Sequence, residues 1–250
     1  MAEHNVYRFY AELADYEPKN WWRFEINGEK TMAELAYSIL LMFEMQASHL
    51  FSLTDYRRET FKEWAKAELG EENSAASDYL ANLKNTHYEI AFDDVYLQEN
   101  EELVKPDEVT LNQELGGFTS RLELAYDYGD DWKVELYLED STKKQISLKD
   151  VPRVIEGEGF GIIEDVGGVT GLRQLAQILK QGHGAEYDDM ARWLDSTTLD
   201  LQSFDQEDMN FRLKKLVRVY REAYEDGLEP TARSYKLLTR DYLGKGSRGY

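Results

Sequence analysis

The clearest pattern in the chain is FTSRLELAYDYGDDWKVELYLE, from Phe118 to Glu139. On each side of its centre the apolar residues fall on one parity and the polar residues on the other, as in Leu122, Leu124 and Tyr126 and again in Trp132, Val134 and Leu136. Side chains of a β-strand point alternately to the two faces of a sheet. The pattern therefore predicts two half-buried antiparallel strands joined by the loop Asp127–Asp131.

The residues before this hairpin predict further strands and two helices. Two loosely alternating runs, Asn5–Tyr16 and Trp21–Ile26, are separated by a short polar loop, which is typical of a second hairpin. Thr31 followed by Glu34 has the form of a capping box, and apolar residues at helical spacing then predict a helix to Gln46. We expect a strand at His49–Leu53, a helix from Tyr56 to Leu69, and mostly loops over 71–115 with one strand at Tyr88–Phe92.

The residues after the hairpin are mainly helical in pattern. A glycine-rich loop, Gly157–Gly168, leads into a helix that ends near Gly182, and helices are predicted at Tyr187–Leu194 and Gln206–Tyr224. The fold class is therefore α+β: a mostly antiparallel sheet with a central hairpin, packed against several helices, with a helical C-terminal part. We divide the chain into one domain over 1–226 and a basic tail over 227–250.

Composition limits the class of protein. Of the 250 residues, 42% are hydrophobic, which is enough apolar surface for one core. No apolar run approaches the roughly 20 residues of a membrane span, and the first ten residues lack the pattern of a signal peptide, so we expect a cytoplasmic location and no membrane partner. The absence of cysteine removes disulfides, thiolate nucleophiles and cysteine-based metal sites.

Charge is unevenly distributed along the chain. The formal net charge is −20, which disfavours nucleic acid as a partner. From Phe211 onward, however, ten basic residues stand against five acidic ones, whereas Phe92–Gly116 carries eight acids and one lysine. This polarity is suited to docking a protein partner or a second copy of the chain, and a homo-oligomer therefore stays an open expectation.

Two blocks of sequence resemble the signature of the plasmid pRiA4b Orf-three-like family. These are the segment 126–132, which reads YDYGDDW, with Glu139 closing its strand, and the segment 164–168, which reads EDVGG. The similarity covers roughly residues 5 to 220. The resemblance implies a mixed α+β domain of unknown function, found in plasmid, transposon-associated and chromosomal proteins.

The chain departs from the family pattern at three places. Val134 and Phe51 stand where the family commonly has histidine, and Gly161-Ile162-Ile163 stands where it commonly has Cys-Pro-Pro. Apolar or hydrogen side chains cannot ligate a metal or transfer a proton. Any family site built on those residues is therefore doubtful in this chain.

The two acidic loops supply the candidate site residues. Carboxylates of Asp127, Asp130, Asp131, Glu164 and Asp165 would be suitable ligands for Mg²⁺ or Ca²⁺ if the loops converge. The favoured interpretation is structural, because Asp and Gly suit a tight hairpin loop and a helix start. We accordingly expect no cofactor, and a binding surface that comprises Tyr128, Asp130, Asp131, Glu164, Asp165 and His49.

No motif in the sequence specifies a reaction. The leading hypothesis is a non-catalytic interaction module that presents acidic loops and a basic tail to a protein partner. The alternative is a divalent-metal-dependent hydrolase or nuclease that uses the acidic loops. A further alternative is a DNA mimic whose acidic surface occupies a nucleic-acid-binding protein.

Overall fold

The computed structural model describes residues 3–70, 73–90, 95 and 97–240. The strands are β1 (Glu3–Leu13), β2 (Trp21–Asn27), β3 (Phe51–Asp55), β4 (Asn85–Tyr88), β5 (Glu101–Val104), β6 (Arg121–Tyr126), β7 (Trp132–Gln145) and β8 (Arg153–Glu158). The helices are α1 (Met32–Met42), α2 (Arg57–Leu69), α3 (Ser74–Asn82), α4 (Leu111–Glu114), α5 (Gly168–Gln181), α6 (Ala185–Leu194), α7 (Gln206–Tyr224) and α8 (Ala232–Leu238).

The strands form one sheet in the order β5-β4-β3-β6-β7-β1-β2-β8. Every neighbouring pair is antiparallel except β4 and β5, which run parallel. The predicted central hairpin is β6 and β7, with Tyr126 opposite Trp132 and Leu122 opposite Leu136. The α+β class, the mostly antiparallel sheet and the helical C-terminal part are thus confirmed.

The core lies between one face of the sheet and the helices α1 and α7. Thr31 caps α1 through a complete capping box, and every residue of this helix except Glu34 is buried. A helix that is apolar on all sides must be covered on all sides. The apolar face of α7, including Met209, Leu213 and Leu216, supplies the cover opposite the sheet.

The opposite face of the sheet carries a row of half-buried polar and aromatic side chains. Tyr10 stacks on Trp21 with ring centroids 5.4 Å apart, and the guanidinium of Arg23 lies 5.7 Å from each ring centroid. Arg23 also donates two hydrogen bonds to Glu139 on β7, across the intervening strand. One face therefore builds the core, and the other is held by polar contacts between strands.

Several predicted boundaries were wrong. The region 71–115 was expected to be mostly loops, but its described part contains α3, β4, β5 and α4, and the strand ends at Tyr88. Residues 91 and 92, where the predicted strand ends, lie outside the described residues. The strand predicted from His49 begins only at Phe51, the first helix ends at Met42, and β8 occupies the start of the predicted glycine-rich loop.

The C-terminal segment contacts the core up to Arg240. Arg212 of α7 donates to the carbonyl oxygens of Leu237 and Leu238 in α8, at 3.2 and 3.0 Å. Arg212 also forms a bidentate pair with Glu44, and Arg240 lies 3.0 Å from the same carboxylate.

Within the part of the chain that the structure describes, none of the helices has the length and the apolar surface that a membrane span requires.

Candidate binding site at the junction of two acidic loops

The hairpin loop 127–131 is shaped by its own aspartates. Asp127 and Asp131 both have positive φ angles, 51° and 53°, which Asp tolerates better than most residues. The Asp127 carboxylate accepts a hydrogen bond from the Gly129 N–H at 3.1 Å, and the Asp127 carbonyl accepts one from the Asp131 N–H at 2.7 Å. Two of the predicted site residues therefore also fix the turn.

The second loop, 164–168, lies directly against the first. Asp130 accepts a hydrogen bond from the Gly167 N–H at 3.2 Å, just before α5 begins. Gly168 has a φ of 66°, and a methyl group at its Cα would collide with the carbonyl oxygen of Asp130. Glycine at this position therefore permits the two acidic loops to meet.

His49 lies where the two loops meet. Its Nε2 atom is 3.6 Å from Asp127 Oδ2, 3.9 Å from Glu164 Oε2 and 3.9 Å from Asp165 Oδ1. The ring stands edge-on to Tyr126, and the His49 carbonyl oxygen accepts a hydrogen bond from the Tyr224 hydroxyl at 2.6 Å. Tyr126 and Tyr224 thus hold His49 in place on one side, while the Nε2 edge of its imidazole faces three carboxylates.

Glu164 is the most enclosed of these carboxylates. Its Oε1 atom accepts hydrogen bonds from the Gln46 N–H at 2.7 Å and from the Tyr126 hydroxyl at 2.8 Å. Its Oε2 atom is buried and has no hydrogen-bond partner among the described residues. Burial raises the pKa of Glu164 above its ordinary value, although the two hydrogen bonds and His49 act in the opposite direction.

A second polar group lies beside this junction. The Tyr128 side chain is 54% exposed, and its hydroxyl donates to Glu89 at 3.0 Å. The other oxygen of Glu89 lies 3.0 Å from His87 Nε2, and His87 Nδ1 lies 3.2 Å from the Thr54 hydroxyl. Burial and the Glu89 carboxylate raise the pKa of Tyr128 to about 12, although a hydrogen bond with Ser52 acts in the opposite direction, so the phenol stays protonated at neutral pH.

The structure brings together only some of the predicted site residues. His49, Asp127, Glu164 and Asp165 form one group, which we name the His49 cluster. Asp130 is engaged with Gly167, and Asp131 pairs with Lys133 at 3.2 Å. Among the residues described, no group of three or more His, Asp or Glu side chains has an arrangement that could hold a metal ion, so the Mg²⁺ or Ca²⁺ site stays a prediction without supporting geometry.

Sequence reasoning missed the contacts that Tyr126 and Tyr224 make with the cluster and that Glu89 makes with Tyr128. Tyr126 had been assigned to the core, and it is buried, but its hydroxyl also reaches Glu164 and Ser48. Tyr224 and Glu89 carried no local signal, because their contacts join segments far apart in the chain. The alternation that placed Tyr126 inside the sheet did not show what its hydroxyl would meet there.

Comparison with known proteins identifies the family. The model of the plasmid pRiA4b ORF-3-like proteins matches residues 5–212, which include both acidic loops. The chain belongs to this family. A solved structure with the same fold as this ORF-3-like protein is that of MM3350, a protein of unknown function from Methanosarcina mazei Go1, with a TM-score of 0.62 and 21% identity over 82% of this chain and 96% of that chain.

The ORF-3-like protein has no match among curated proteins. The likeness to MM3350 therefore shows the fold, and neither comparison supplies a reaction, a substrate or a partner for the family member described here.

Proposed function

We propose that this ORF-3-like protein is a non-catalytic binding module that receives a cationic side chain of a protein partner at the His49 cluster. The observation that supports this most strongly is the excess of carboxylates over cationic groups where the two acidic loops meet. Three carboxylates face one imidazole nitrogen at 3.6 to 3.9 Å, and none of the three separations is a hydrogen bond. A guanidinium or ammonium group would supply the donors and the positive charge that these oxygens lack.

The depths of the three carboxylates suit stepwise entry of such a group. The side chain of Asp165 is 79% exposed, whereas those of Asp127 and Glu164 are 13% and 12% exposed. An incoming cation would meet Asp165 in solvent and then the two carboxylates below it. Partly buried charges are screened less by salt than exposed ones, so the inner pair would contribute more to affinity.

The surroundings of the cluster favour a cation for two further reasons. The net charge of −20 attracts positively charged partners at long range, which raises association rates at low ionic strength. The exposed ring of Tyr128 directly follows Asp127 in the hairpin loop, and an aromatic face binds ammonium and guanidinium groups favourably. Carboxylates beside an exposed aromatic ring are therefore a suitable receptor for lysine or arginine.

The experiment is a binding titration with short fluorescent peptides, one rich in arginine and one rich in lysine. The test variant is the triple substitution D127N, E164Q and D165N, which keeps side-chain size and one oxygen acceptor of each group while removing its charge. The matched control is E63Q, E68Q and D78N, which removes the same charge from exposed positions on α2 and α3. We expect the test variant to weaken peptide binding at least about tenfold, and the control less than about threefold.

Equal losses in the two variants would show that only the overall charge matters, and the proposal would then be wrong. The metal alternative is separated by thermal unfolding with EDTA and then with Mg²⁺, Ca²⁺, Mn²⁺ or Zn²⁺. A native-state ligand at a hundredfold excess over Kd stabilises by about 2.7 kcal/mol. A stabilisation of that size that disappears in the test variant would favour the metal-dependent hydrolase or nuclease instead.

A further inference from the structure

A groove between α7 and α8 concentrates positive charge on this acidic molecule. Its volume is about 660 Å³, and its lining includes Lys214, Lys215, Arg218, Arg233 and Lys236. None of the described residues that line it is acidic. The net charge of the chain is −20, so the sign of the charge is locally reversed at a groove whose described lining has five cations and no carboxylate.

Some cations of the basic C-terminal segment face this groove, whereas others are buried and form ion pairs in the interior. Arg212 and Arg240 belong to the same basic segment of sequence, but both are buried against Glu44. By contrast, Lys214, Lys215 and Arg233 are exposed and make no hydrogen bond or ion pair with any residue in the described ranges. Their charges are available to a ligand.

The groove is amphipathic and not merely basic. The half-buried Leu237 contributes apolar surface to it, and Phe211, which also lines it, is 46% exposed. Tyr235, on the same short helix α8, is 56% exposed. A ligand that fills the groove would therefore bury apolar groups between flanking anionic groups, as an amphipathic peptide does.

Internal contacts hold both walls of the groove in place. Arg212 reaches from α7 to two carbonyl oxygens of α8, and its bidentate pair with Glu44 fixes the guanidinium from the other side. A binding surface that is already ordered loses less conformational entropy on association. The groove is thus formed before any ligand arrives.

A second depression adjoins the groove along the same helix. It has a volume of about 450 Å³, shares Lys214 and Arg218 with the groove, and adds Lys149 and Arg221 together with the ion pair of Lys30 and Glu34. Leu148 at its edge is 48% exposed. The positive surface therefore continues from the groove along α7 to Arg221.

We propose that this groove binds an acidic amphipathic peptide segment of a partner protein. Charge complementarity decides between this ligand and a nucleic acid. A nucleic acid carries a charge at every phosphate along its length, so its flanks would be repelled by a molecule of net charge −20. A short peptide with a few carboxylates around leucine or phenylalanine matches the local charge and the apolar surface without that repulsion.

The test uses the full chain and a fluorescein-labelled peptide in which glutamates flank leucines. The groove variant is K214Q, K215Q and R233Q, and the matched control is K62Q, K84Q and K180Q, which removes the same charge from exposed positions elsewhere. We expect binding of the peptide to weaken at least about tenfold in the groove variant and less than about threefold in the control. Circular dichroism and thermal unfolding establish that both variants are folded.

Three outcomes would overturn the proposal. The first is no binding of the peptide by the unmodified chain, and the second is an equal loss in both variants. The third is tighter binding of a single-stranded oligonucleotide than of the peptide to the same groove. Sedimentation velocity tests a further contradicting outcome. Self-association that is lost only in the groove variant would mean that a second copy of the chain, and not a partner peptide, occupies the groove.

Discussion

At the scale of the residue, Arg212 shows how the basic C-terminal segment is divided between the interior and the surface. Its guanidinium is buried, pairs with both oxygens of Glu44, and donates to two backbone carbonyls. Burial alone would lower the pKa of Arg212, but Glu44 more than compensates and raises it. An arginine is suited to this place because its fork of donors can satisfy several acceptors at once.

The substitution R212M is expected to lower the free energy of unfolding by about 3 to 5 kcal/mol, because it leaves Glu44 buried with only part of its compensation. Chemical denaturation measures this change. The matched control is R218M on the same helix, where Arg218 is exposed and pairs with Glu222, and the loss there is expected to stay below about 1 kcal/mol. Similar losses in the two variants would contradict an internal structural role for Arg212.

Glu25 gives a prediction about pH. Burial would raise the pKa of this carboxyl, but hydrogen bonds from Lys144, Arg153 and Arg8 outweigh burial and lower the pKa to about 2. A carboxyl whose pKa is lowered in the folded state stabilises the fold above its ordinary pKa, and that contribution disappears as the pH falls. We expect E25Q to be less stable than the unmodified chain by about 2 kcal/mol at pH 7.

The difference between the two chains should shrink as the pH falls from about 4.5 to 2, because Glu25 takes up a proton in the unfolded chain over that interval and in the folded chain only near pH 2. Urea unfolding at a series of pH values measures it. The exposed position Glu63, substituted as E63Q, serves as the reference for a general effect of charge. A difference that stays constant over this interval would exclude the ion cluster as its source.

At the scale of the element, the contact between the two acidic loops depends on glycine. Gly167 and Gly168 both have positive φ angles, 87° and 66°, but only Gly168 is crowded, by the carbonyl oxygen of Asp130. We expect G167A to cost about 1 kcal/mol of stability for the backbone strain alone, and G168A to cost about 2 to 4 kcal/mol. Thermal unfolding of the two variants compares them directly.

G168A is also expected to weaken peptide binding at the His49 cluster more than G167A, because it displaces the loop that carries Glu164 and Asp165. Equal effects of the two substitutions on stability and on binding would show that the close approach to Asp130 is unimportant.

The elements also show what could be predicted from sequence and what could not. The hairpin β6–β7 was predictable because its alternation is strict and one face is buried. Strand β4 was not, because its sequence, Asn85-Thr86-His87-Tyr88, is mostly polar although Asn85, Thr86 and Tyr88 are buried. Strands β5 and β8 lie at the sheet edges, where exposed residues such as Glu102 and Glu158 obscure the period of two.

The candidate site was predictable to the same partial extent. Acidic residues in two loops with turn-forming glycines suggested a junction, and His49, Asp127, Glu164 and Asp165 do lie together. The sequence could not show that the Asp130 carboxylate would accept a hydrogen bond from a backbone N–H of the other loop. Such a contact depends on how the loops are aligned by the rest of the fold, which no local pattern records.

At the scale of the whole molecule, the C-terminal segment makes a contribution that a chain ending at residue 226 would lose. Such a chain lacks the buried Leu238, the carbonyl acceptors of Arg212, and Arg240 beside Glu44. We expect it to be less stable by about 3 kcal/mol or more, because burial is lost and a buried cation loses acceptors. A chain ending at Arg240 is the reference.

Denaturation of these two chains also tests the division of the sequence into a domain over 1–226 and a tail over 227–250. Equal stability would mean that the segment 227–240 contributes nothing to the fold. A large loss in the shorter chain would mean that the domain extends through α8.

The order of strands in the sheet has a consequence for how the chain must fold during synthesis. Strand β1 pairs along its length with β7, from Leu13 opposite Val134 to Glu3 opposite Gln145. Strand β1 is therefore synthesised about half of this sequence before β7, and one of its edges waits for that partner. Pairing between such distant segments slows folding, so we expect folding on the order of milliseconds to seconds, with the amino-terminal hairpin exposed to chaperones meanwhile.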